Sequence, residues 1–391
     1  MHLIETYALA CGAKIDKPYI YEKYFPTPPG EYITFQPFSS GDIKNYDHWQ
    51  QVIDLIRPIF QKNNIQILQI GARDDKEIRG CARISGHTNI NHAAYVIKKG
   101  KMHLGTDSFA VHVASVYQKK IVALYANNLI KNVGPYWSEK EDTILIEPDR
   151  KGKKPNYALE EKPKSINTIK PEKIASVVCG LLGFDFKSPY ETVYIGERYG
   201  EKRSFSFVPD SFHPIDNNKN PIEYRMDYHF DESNLERQLQ ISPCGIITDK
   251  SINIDLLKKY KPHVPHLLYV ITEDDDPQFV RAVRGLGIGV ALITKLSKGK
   301  LRNKKMDYYD MSKIITVDEP DKDLIKKIKN SKKLFYKSNK IIMSEKQTYS
   351  SHPKYTSRKP SNGDFELLEE SDSFFDDLDH FHIVKMLDKR S

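Results

Sequence analysis

The sequence predicts an α/β protein built from two Rossmann-like domains, each with a parallel sheet and helices between its strands. The first observation behind this prediction is a series of apolar strands that alternate with helices between residues 32 and 182. The second is a similar alternation in the other half of the chain, which starts at Cys244 and ends at Tyr336. The third is the length of 391 residues, which suits two domains and allows a sizeable core.

The first predicted domain covers residues 1–185. A strand is expected at 32–38, and an amphipathic helix at 49–61, because apolar residues recur there at helical spacing. The remaining elements expected in this domain are strands at 65–72 and 121–125 and a helix at 171–182.

The second half of the chain divides into three predicted parts. Residues 186–243 are expected to be a connecting β-rich segment with strands at 192–195 and 205–208. Residues 244–343 are expected to be a second α/β domain. Its expected strands are 245–248, 266–272, 289–294, 314–317 and 334–336, and its expected helices are 252–260, 277–286 and 321–328. Residues 344–391 are expected to be a linker and an acidic-aromatic tail with a short helix at 380–387.

Composition limits the class of protein. Hydrophobic residues make up 39% of the chain, and no apolar run approaches the ~20 residues of a membrane-spanning helix. The four cysteines lie far apart and form no C-x-x-C pair, which predicts reduced thiols in a cytoplasmic protein rather than a disulfide framework or a metal site. The net charge of +8 suits an anionic ligand or partner.

The segment from Gly105 to Ala114 is the most informative stretch of the chain. It predicts a turn with Asp107 and Ser108, followed by a helix with His112 in its first turn. The first N–H groups of a helix have no partner and its dipole favours negative charge, so this turn can hold a phosphorylated ligand. The alternative is an ordinary strand–helix junction, in which Asp107 or Ser108 caps the helix and His112 is a core residue.

A second informative segment follows the strand at 32–38. Ser39, Ser40, Gly41 and Lys44 form a loop that precedes the helix at 49–61. Two hydroxyls, a glycine and a lysine before a helix can hold a diphosphate, with Lys44 as the positive charge. The alternative is a solvated turn of the kind that Ser, Gly and Asp commonly form.

Taken in order, these segments resemble the C-terminal domain of glycosyltransferase family 9, the heptosyltransferase-like enzymes. That domain has a hydroxyl-rich loop ending in Lys and Trp, then a strand ending in Gly, then an Asp-Ser/Thr-Gly-x-x-His motif. In this chain the corresponding residues are Ser39, Ser40, Lys44 and Trp49, then Gly71, then Asp107, Ser108 and His112. The resemblance covers about residues 1–185.

The resemblance implies roles for the matching residues. Ser39, Ser40 and Lys44 would hold the donor diphosphate from one side, and Asp107 and Ser108 would hold it from the other side, together with the helix N–H groups. Electrostatic stabilisation of this kind would replace a metal ion, so neither a metal nor a cofactor is expected.

Two further positions bear on the donor site. The resemblance implies that Asp75 accepts hydrogen bonds from the ribose hydroxyls. The chain departs from the family at Phe109, where Gly is usual, and a bulky side chain there limits the approach of the backbone to the ligand.

The catalytic carboxylate has no counterpart in the matched region. Family members place it in a first domain with a Gly-rich loop, whereas residues 1–13 of this chain already resemble the inter-domain helix. We therefore expect a GT-B-like outline with the donor-type domain first. The candidates for a general base are carboxylates at strand ends of the second domain, namely Asp249, Glu273 and Asp274. The alternative for the acidic run 273–276 is that it stabilises the start of a helix and faces solvent.

Two functions are compatible with these features. The first is a metal-independent glycosyltransferase that moves a hexosyl, heptosyl or pentosyl group from a nucleotide-diphosphate sugar. Its acceptor would be a surface glycan, a lipid-linked sugar or modified nucleic acid. The last option is suggested by the lysines concentrated at 295–305 and 326–340, for which the alternative is a solvated charged face. The second is a catalytically inactive protein that binds a nucleotide or a glycan.

Overall fold

The structure is a computed structural model, and it forms two compact units. The described residues are 1–150, 152–161, 164–194, 204–211, 222–311, 314–316, 326, 334–337, 340–361, 366–367 and 382–386. The first unit is Met1–Glu197 with Met386–Ser391, and the second is Arg198–Lys385.

The first unit alternates strands and helices along the chain. Its described elements are α1 (Leu3–Cys11), β1 (Glu31–Gln36), α2 (Trp49–Lys62), β2 (Ile65–Gln69), β3 (Ala82–Arg83), α3 (Ile90–Lys99), β4 (Met102–Thr106), α4 (Phe109–Val116), β5 (Lys120–Leu124), α5 (Ile130–Val133), β6 (Thr143–Ile146), α6 (Pro171–Leu181) and β7 (Tyr190–Tyr194). The strands and helices predicted for this half are confirmed, with ends that shift by at most about three residues.

Six of these strands form a parallel sheet in the order β3-β2-β1-β4-β5-β6. The chain moves outward from β1 to β3, then returns to β4 beside β1 and moves outward the other way. The strand order therefore reverses between β1 and β4, which is the point where open α/β sheets bind ligands. A Cβ atom at Gly105 would lie 2.4 Å from the Gln36 carbonyl oxygen, so a glycine is needed for β4 to lie this close to β1.

Helices cover both faces of this sheet. Ile33 and Phe35 of β1 pack on one face with residues of α2 and α6, such as the fully buried Trp49. Tyr32, which points to the other face, packs with residues of α3 and α4. Burial on both faces explains why β5 is a nearly continuous apolar run in the sequence.

The second unit contains a larger sheet. Its described elements are β8 (Ser204–Phe207), β9 (Ile222–Arg225), α7 (Glu232–Ile241), β10 (Gly245–Thr248), α8 (Ile254–Lys259), β11 (His266–Ile271), α9 (Pro277–Gly285), β12 (Gly289–Thr294), α10 (Lys298–Asp307), β13 (Ile314–Thr316), β14 (Leu334–Lys337), β15 (Lys340–Ser344), β16 (Gln347–Tyr349), α11 (His352–Thr356), β17 (Glu366–Leu367) and β18 (His382–Met386).

Eight of these strands are ordered β13-β12-β11-β10-β9-β8-β15-β16. All neighbours are parallel except β15 and β16. The predicted second parallel α/β sheet is confirmed for the strands up to β13, and it also includes β8 and β9 from the expected connecting segment. The strand expected at 334–336 forms as β14 but belongs to another sheet, where it pairs antiparallel with β17 and β18, so its assignment to the parallel sheet is wrong. The helix predicted at 321–328 lies outside the described residues apart from Lys326, which is helical. The protein is therefore a mixed α/β protein with parallel sheets.

The C-terminal part differs from the sequence prediction. Residues 382–386 form strand β18 rather than the expected helix at 380–387, and β18 pairs antiparallel with β14. The β-branched Ile383 and Val384 favour a strand once a partner strand offers backbone hydrogen bonds. The expected linker contains β16 and α11, because Tyr349 and Tyr355 are buried against Val208 and Ile342. The acidic stretch 364–379 lies outside the described residues, except Glu366 and Leu367.

No membrane-spanning helix is present in the described part of the chain, since none of its helices has the necessary length and apolar character.

Candidate functional site

A cleft of about 770 Å³ lies beside the reversal point of the first sheet. Its walls come from the loops after β1 and β2 and from the starts of α3 and α4. The lining residues are Gln36, Phe38, Ser39, Ser40, Gly71, Ala72, Asp75, Thr88, Asn89, Ile90, Asn91, Ala93 and Phe109. Four of the predicted site residues (Ser39, Ser40, Asp75 and Phe109) thus line one cavity, at the carboxyl ends of the strands.

An ion pair joins the two predicted motifs. The Lys44 Nζ donates to Asp107 Oδ2 at 2.7 Å, and the two side chains are 23% and 7% exposed. The Thr106 hydroxyl also donates to the Lys44 carbonyl oxygen, at 2.5 Å. The loop after β1 is therefore tied to the end of β4, and the ammonium group is shared with a carboxylate before any ligand arrives.

The loop after β1 is shaped by Asn45. Its Oδ1 accepts from the Ser39 backbone N–H at 2.8 Å, and its Nδ2 donates to the Ser39 carbonyl oxygen at 3.2 Å. The Ser39 hydroxyl donates to the Gly41 carbonyl at 3.3 Å, while Ser40 is exposed. Ser40 is thus the hydroxyl of this loop that is open to a ligand.

The start of α4 lacks a side-chain cap. Ser108 occupies the N-cap position in an extended conformation, but its hydroxyl donates to Gln36 Oε1 at 2.7 Å and accepts nothing from the helix. Asp107 is held by Lys44 instead. The capping alternative is therefore wrong for both side chains. The Val111 N–H donates to the Ser108 carbonyl oxygen at 3.2 Å, and the Phe109 and Ala110 N–H groups are left for another acceptor.

His112 and Phe109 lie on the first turn of α4. Burial lowers the pKa of His112, and the nearby Asp107 carboxylate opposes this only in part, so the imidazole is neutral at neutral pH. The Phe109 side chain is 39% exposed and lines the cleft. An aromatic ring thus occupies the side of the cleft where the helix N–H groups lie.

Asp75 folds back over the loop after β2. Its Oδ2 accepts from the Ala72 N–H at 2.8 Å, and a Cβ at Gly71 (φ +146°) would lie 2.0 Å from that oxygen. Its Oδ1 accepts no hydrogen bond from the described residues. Burial is the largest influence on Asp75 and raises its pKa. This arrangement leaves one carboxylate oxygen for a ligand hydroxyl.

Lys164 and Asn167 anchor the loop after β1 from outside the cleft. The Lys164 Nζ donates to Asp47 Oδ1 at 2.6 Å and to the Asn45 carbonyl at 2.9 Å. The Asn167 Nδ2 donates to Asp47 Oδ2 at 2.7 Å, and the Asp47 N–H donates to Asn167 Oδ1 at 3.0 Å. Sequence reasoning missed these residues, because nothing local marks partners that lie 117 and 120 positions apart.

The carboxylates of the second unit differ in their surroundings. Asp249 follows β10 and is half-buried, and burial raises its pKa. Glu273 is 63% exposed and pairs with Lys300, and Asp274 is exposed. Asp276 is the N-cap of α9, where it accepts from Gln278 and Phe279 backbone N–H groups and from the Ser251 hydroxyl.

The Asp275 side chain is buried against Lys304 of α10 and Tyr308, the residue that follows this helix. Its carboxylate accepts from the Lys304 ammonium and the Tyr308 hydroxyl. The helix-start alternative is therefore confirmed for Asp276, and Asp275 is a structural residue. Among the three predicted candidates, Asp249 differs from Glu273 and Asp274 in being half-buried, and the described residues give its carboxylate no ion-pair partner within 4.0 Å.

Residues 17–162 match the model of glycosyltransferase family 9 (heptosyltransferase). The resemblance inferred from the motifs is confirmed over this segment. Every residue that lines the cleft lies within it, whereas the second unit lies outside it. Among curated proteins, none is similar enough to this chain to count as a match.

Several solved structures resemble part of the chain. The ADP-heptose lps heptosyltransferase II of E. coli is 20% identical, with 39% of this chain and 46% of that chain covered and a TM-score of 0.32. A glycosyltransferase family 9 protein of Veillonella parvula is 17% identical (46% and 50% covered, TM-score 0.31). The E. coli heptosyltransferase WaaC with ADP is 15% identical (45% and 54% covered, TM-score 0.31). The chain thus spans about half the length of these structures.

Proposed function

We propose that this protein is a glycosyltransferase that binds a nucleotide-diphosphate sugar in the cleft of the first unit. The observation that supports this proposal is that the segment matching glycosyltransferase family 9 contains the complete wall of the cleft at the reversal point of the sheet.

The diphosphate is assigned to the space beside Lys44, Ser40 and the start of α4. An ammonium group has three N–H donors, so Lys44 can keep Asp107 and also donate to a phosphate oxygen. The uncapped N–H groups of α4 and the helix dipole add positive potential. These groups would stabilise the charge that develops on the leaving diphosphate, which is why the proposed reaction needs no metal ion.

The proposed reaction needs two further groups, one that holds the ribose and one that acts as a base on the acceptor hydroxyl. The unpaired Asp75 Oδ1 is proposed to accept from the ribose hydroxyls. Deprotonating an acceptor hydroxyl requires a positioned acceptor such as a carboxylate, and we assign this role to Asp249 ahead of Glu273 and Asp274. Its raised pKa makes it a stronger base than an exposed carboxylate.

The acceptor is proposed to be a glycan or a lipid-linked sugar rather than nucleic acid, because Lys300 and Lys304 are paired with carboxylates.

A second function is binding without transfer. It is favoured by the Phe109 ring in the cleft and by the Lys44–Asp107 pair, which together reduce the room and the positive charge offered to a diphosphate. A protein with these features would bind a nucleotide or a glycan and release it unchanged.

Ligand binding and turnover separate the two functions. The full chain is screened by thermal shift against nucleoside diphosphates and their sugar conjugates, and each ligand that binds is then tested for release of free nucleoside diphosphate. A glycosyltransferase would bind at least one conjugate and hydrolyse it slowly or transfer its sugar to an acceptor. Binding with no turnover in the presence of sugar acceptors would support the second function, and no binding would contradict both nucleotide proposals.

A further inference from the structure

A second cavity of the first unit shares no residue with the cleft. Its volume is about 320 Å³, which lies within the ~300–1,000 Å³ of small-molecule pockets. Its wall consists of His2, just before α1, and of residues from α5 to β6, including Tyr136, Ser138 and Thr143.

Two hydroxyls in this wall are buried without a partner. Neither the Ser138 Oγ nor the Thr143 Oγ1 has a hydrogen-bond partner among the described residues. Buried polar groups in proteins are nearly always hydrogen-bonded, and leaving one unpaired lowers stability. Two such groups belong to one cavity wall, and a polar guest that reached them would complete both.

The other groups around the cavity are a fixed aromatic ring and two free charges. The Tyr136 ring packs against the His2 ring at 4.9 Å between centroids, and His2 is itself held to the Gly134 carbonyl oxygen at 2.9 Å from its Nε2. Glu139 and Lys140 are exposed where they line the cavity, and neither has an ion-pair partner within 4.0 Å in the described part of the chain.

We propose that this cavity is a carbohydrate-binding site for a single sugar ring, separate from the donor cleft. Sugar hydroxyls both donate and accept, so they can complete Ser138 and Thr143 at the same time. The C–H face of a sugar ring can pack on the Tyr136 ring, while Glu139 accepts from a hydroxyl and Lys140 donates to one. A simple anion does not match this set, because one carboxylate accompanies the one ammonium group.

The test uses the full chain with D-glucose, D-mannose and N-acetyl-D-glucosamine as probes. Binding is measured by saturation-transfer NMR and calorimetry for the wild type, Ser138→Ala and Thr143→Val. Thr356→Val, which removes an exposed hydroxyl of the second unit, is the matched control. We expect at least one sugar to bind, each cavity variant to weaken it about tenfold, and the control to leave it unchanged. The Tm of the sugar-free variants should be unchanged or higher, since an unpaired hydroxyl is removed.

The proposal is overturned if no sugar binds saturably at millimolar concentration, if the cavity variants bind as the wild type does, or if they lower the Tm of the free protein. Nucleoside diphosphate binding is measured in the same variants and is expected to be unchanged. Sugar binding that persists when no nucleotide binds would contradict the proposed donor cleft and leave the sugar site intact.

Discussion

At the scale of single residues, the Lys44–Asp107 pair is the link between the loop after β1 and the start of α4. Lys44→Ala should weaken nucleoside diphosphate binding by ~1.5–3 kcal/mol, because a charge-assisted contact is lost. It should also lower stability, since the nearly buried Asp107 loses its partner. Calorimetry and thermal unfolding measure the two effects.

Lys101→Ala is the matched control for this variant. Lys101 pairs with Glu31 on the surface, and exposed pairs contribute only ~0–1 kcal/mol. Equal nucleotide affinity in Lys44→Ala and Lys101→Ala would show that the loop after β1 is not part of the nucleotide site.

Two buried histidines predict how the stability of the first unit depends on pH. Burial lowers the pKa of both His48 and His103 to about 3, compared with about 6.5 when unfolded. Because the unfolded state binds these protons first, stability should be complete above about pH 6.5 and fall progressively as the pH drops toward 3.

Tryptophan fluorescence can measure this effect, since Trp49 and Trp137 are the two tryptophans of the chain and both lie in the first unit. In His103→Gln, the slope of the free energy of unfolding against pH should decrease by the amount that corresponds to about one bound proton. An unchanged slope would show that His103 titrates normally in the folded protein.

At the scale of elements, the contact between β1 and β4 depends on Gly105. Gly105→Ala should destabilise the first unit by ~1–3 kcal/mol, because the added Cβ would lie 2.4 Å from a backbone oxygen. Gly180→Ala on α6, where nothing lies within 4 Å of the added atom, should instead be neutral or stabilising. Equal Tm values for the two variants in the fluorescence assay would contradict this account.

Lys164, which anchors the loop after β1 from outside the cleft, should affect nucleotide binding although it is not assigned a ligand contact. Lys164→Ala should weaken nucleoside diphosphate binding by up to about tenfold, because the loop loses its hold on Asp47 and Lys44 is less well positioned. Lys164→Arg should restore much of the affinity. If the Lys164→Ala variant has the same Tm as the wild type and binds the nucleoside diphosphate equally well, the contacts of Lys164 have no role in the site.

Local sequence patterns predicted most elements but few of their contacts. The spacing of apolar residues in α2 and the β-branched runs of β5 and β12 identify those elements without help from the rest of the chain. The partners of Asp47 and Asp275 are tertiary contacts, which no local pattern encodes. Residues 382–386 were predicted as a helix because their local sequence suits either structure. The pairing with β14, which decides for a strand, is a tertiary contact.

At the scale of the whole molecule, the proposal assigns donor binding to the first unit and base catalysis to the second. Asp249→Asn should reduce sugar transfer by ~10²–10⁴-fold and leave nucleotide affinity unchanged, because a general base acts on the acceptor. Asp255→Asn, an exposed carboxylate at the start of α8, is the control. Near-normal turnover in Asp249→Asn would exclude Asp249 and direct the search to Glu273 and Asp274.

Hydrogen–deuterium exchange of the full chain, with and without a nucleoside diphosphate, locates the donor site on the chain. We expect the ligand to protect backbone amides in residues 39–44 and in the first turn of α4, and none in β10 or α8. Protection confined to the second unit, or saturable binding with no protection at these two segments, would contradict the proposed donor site.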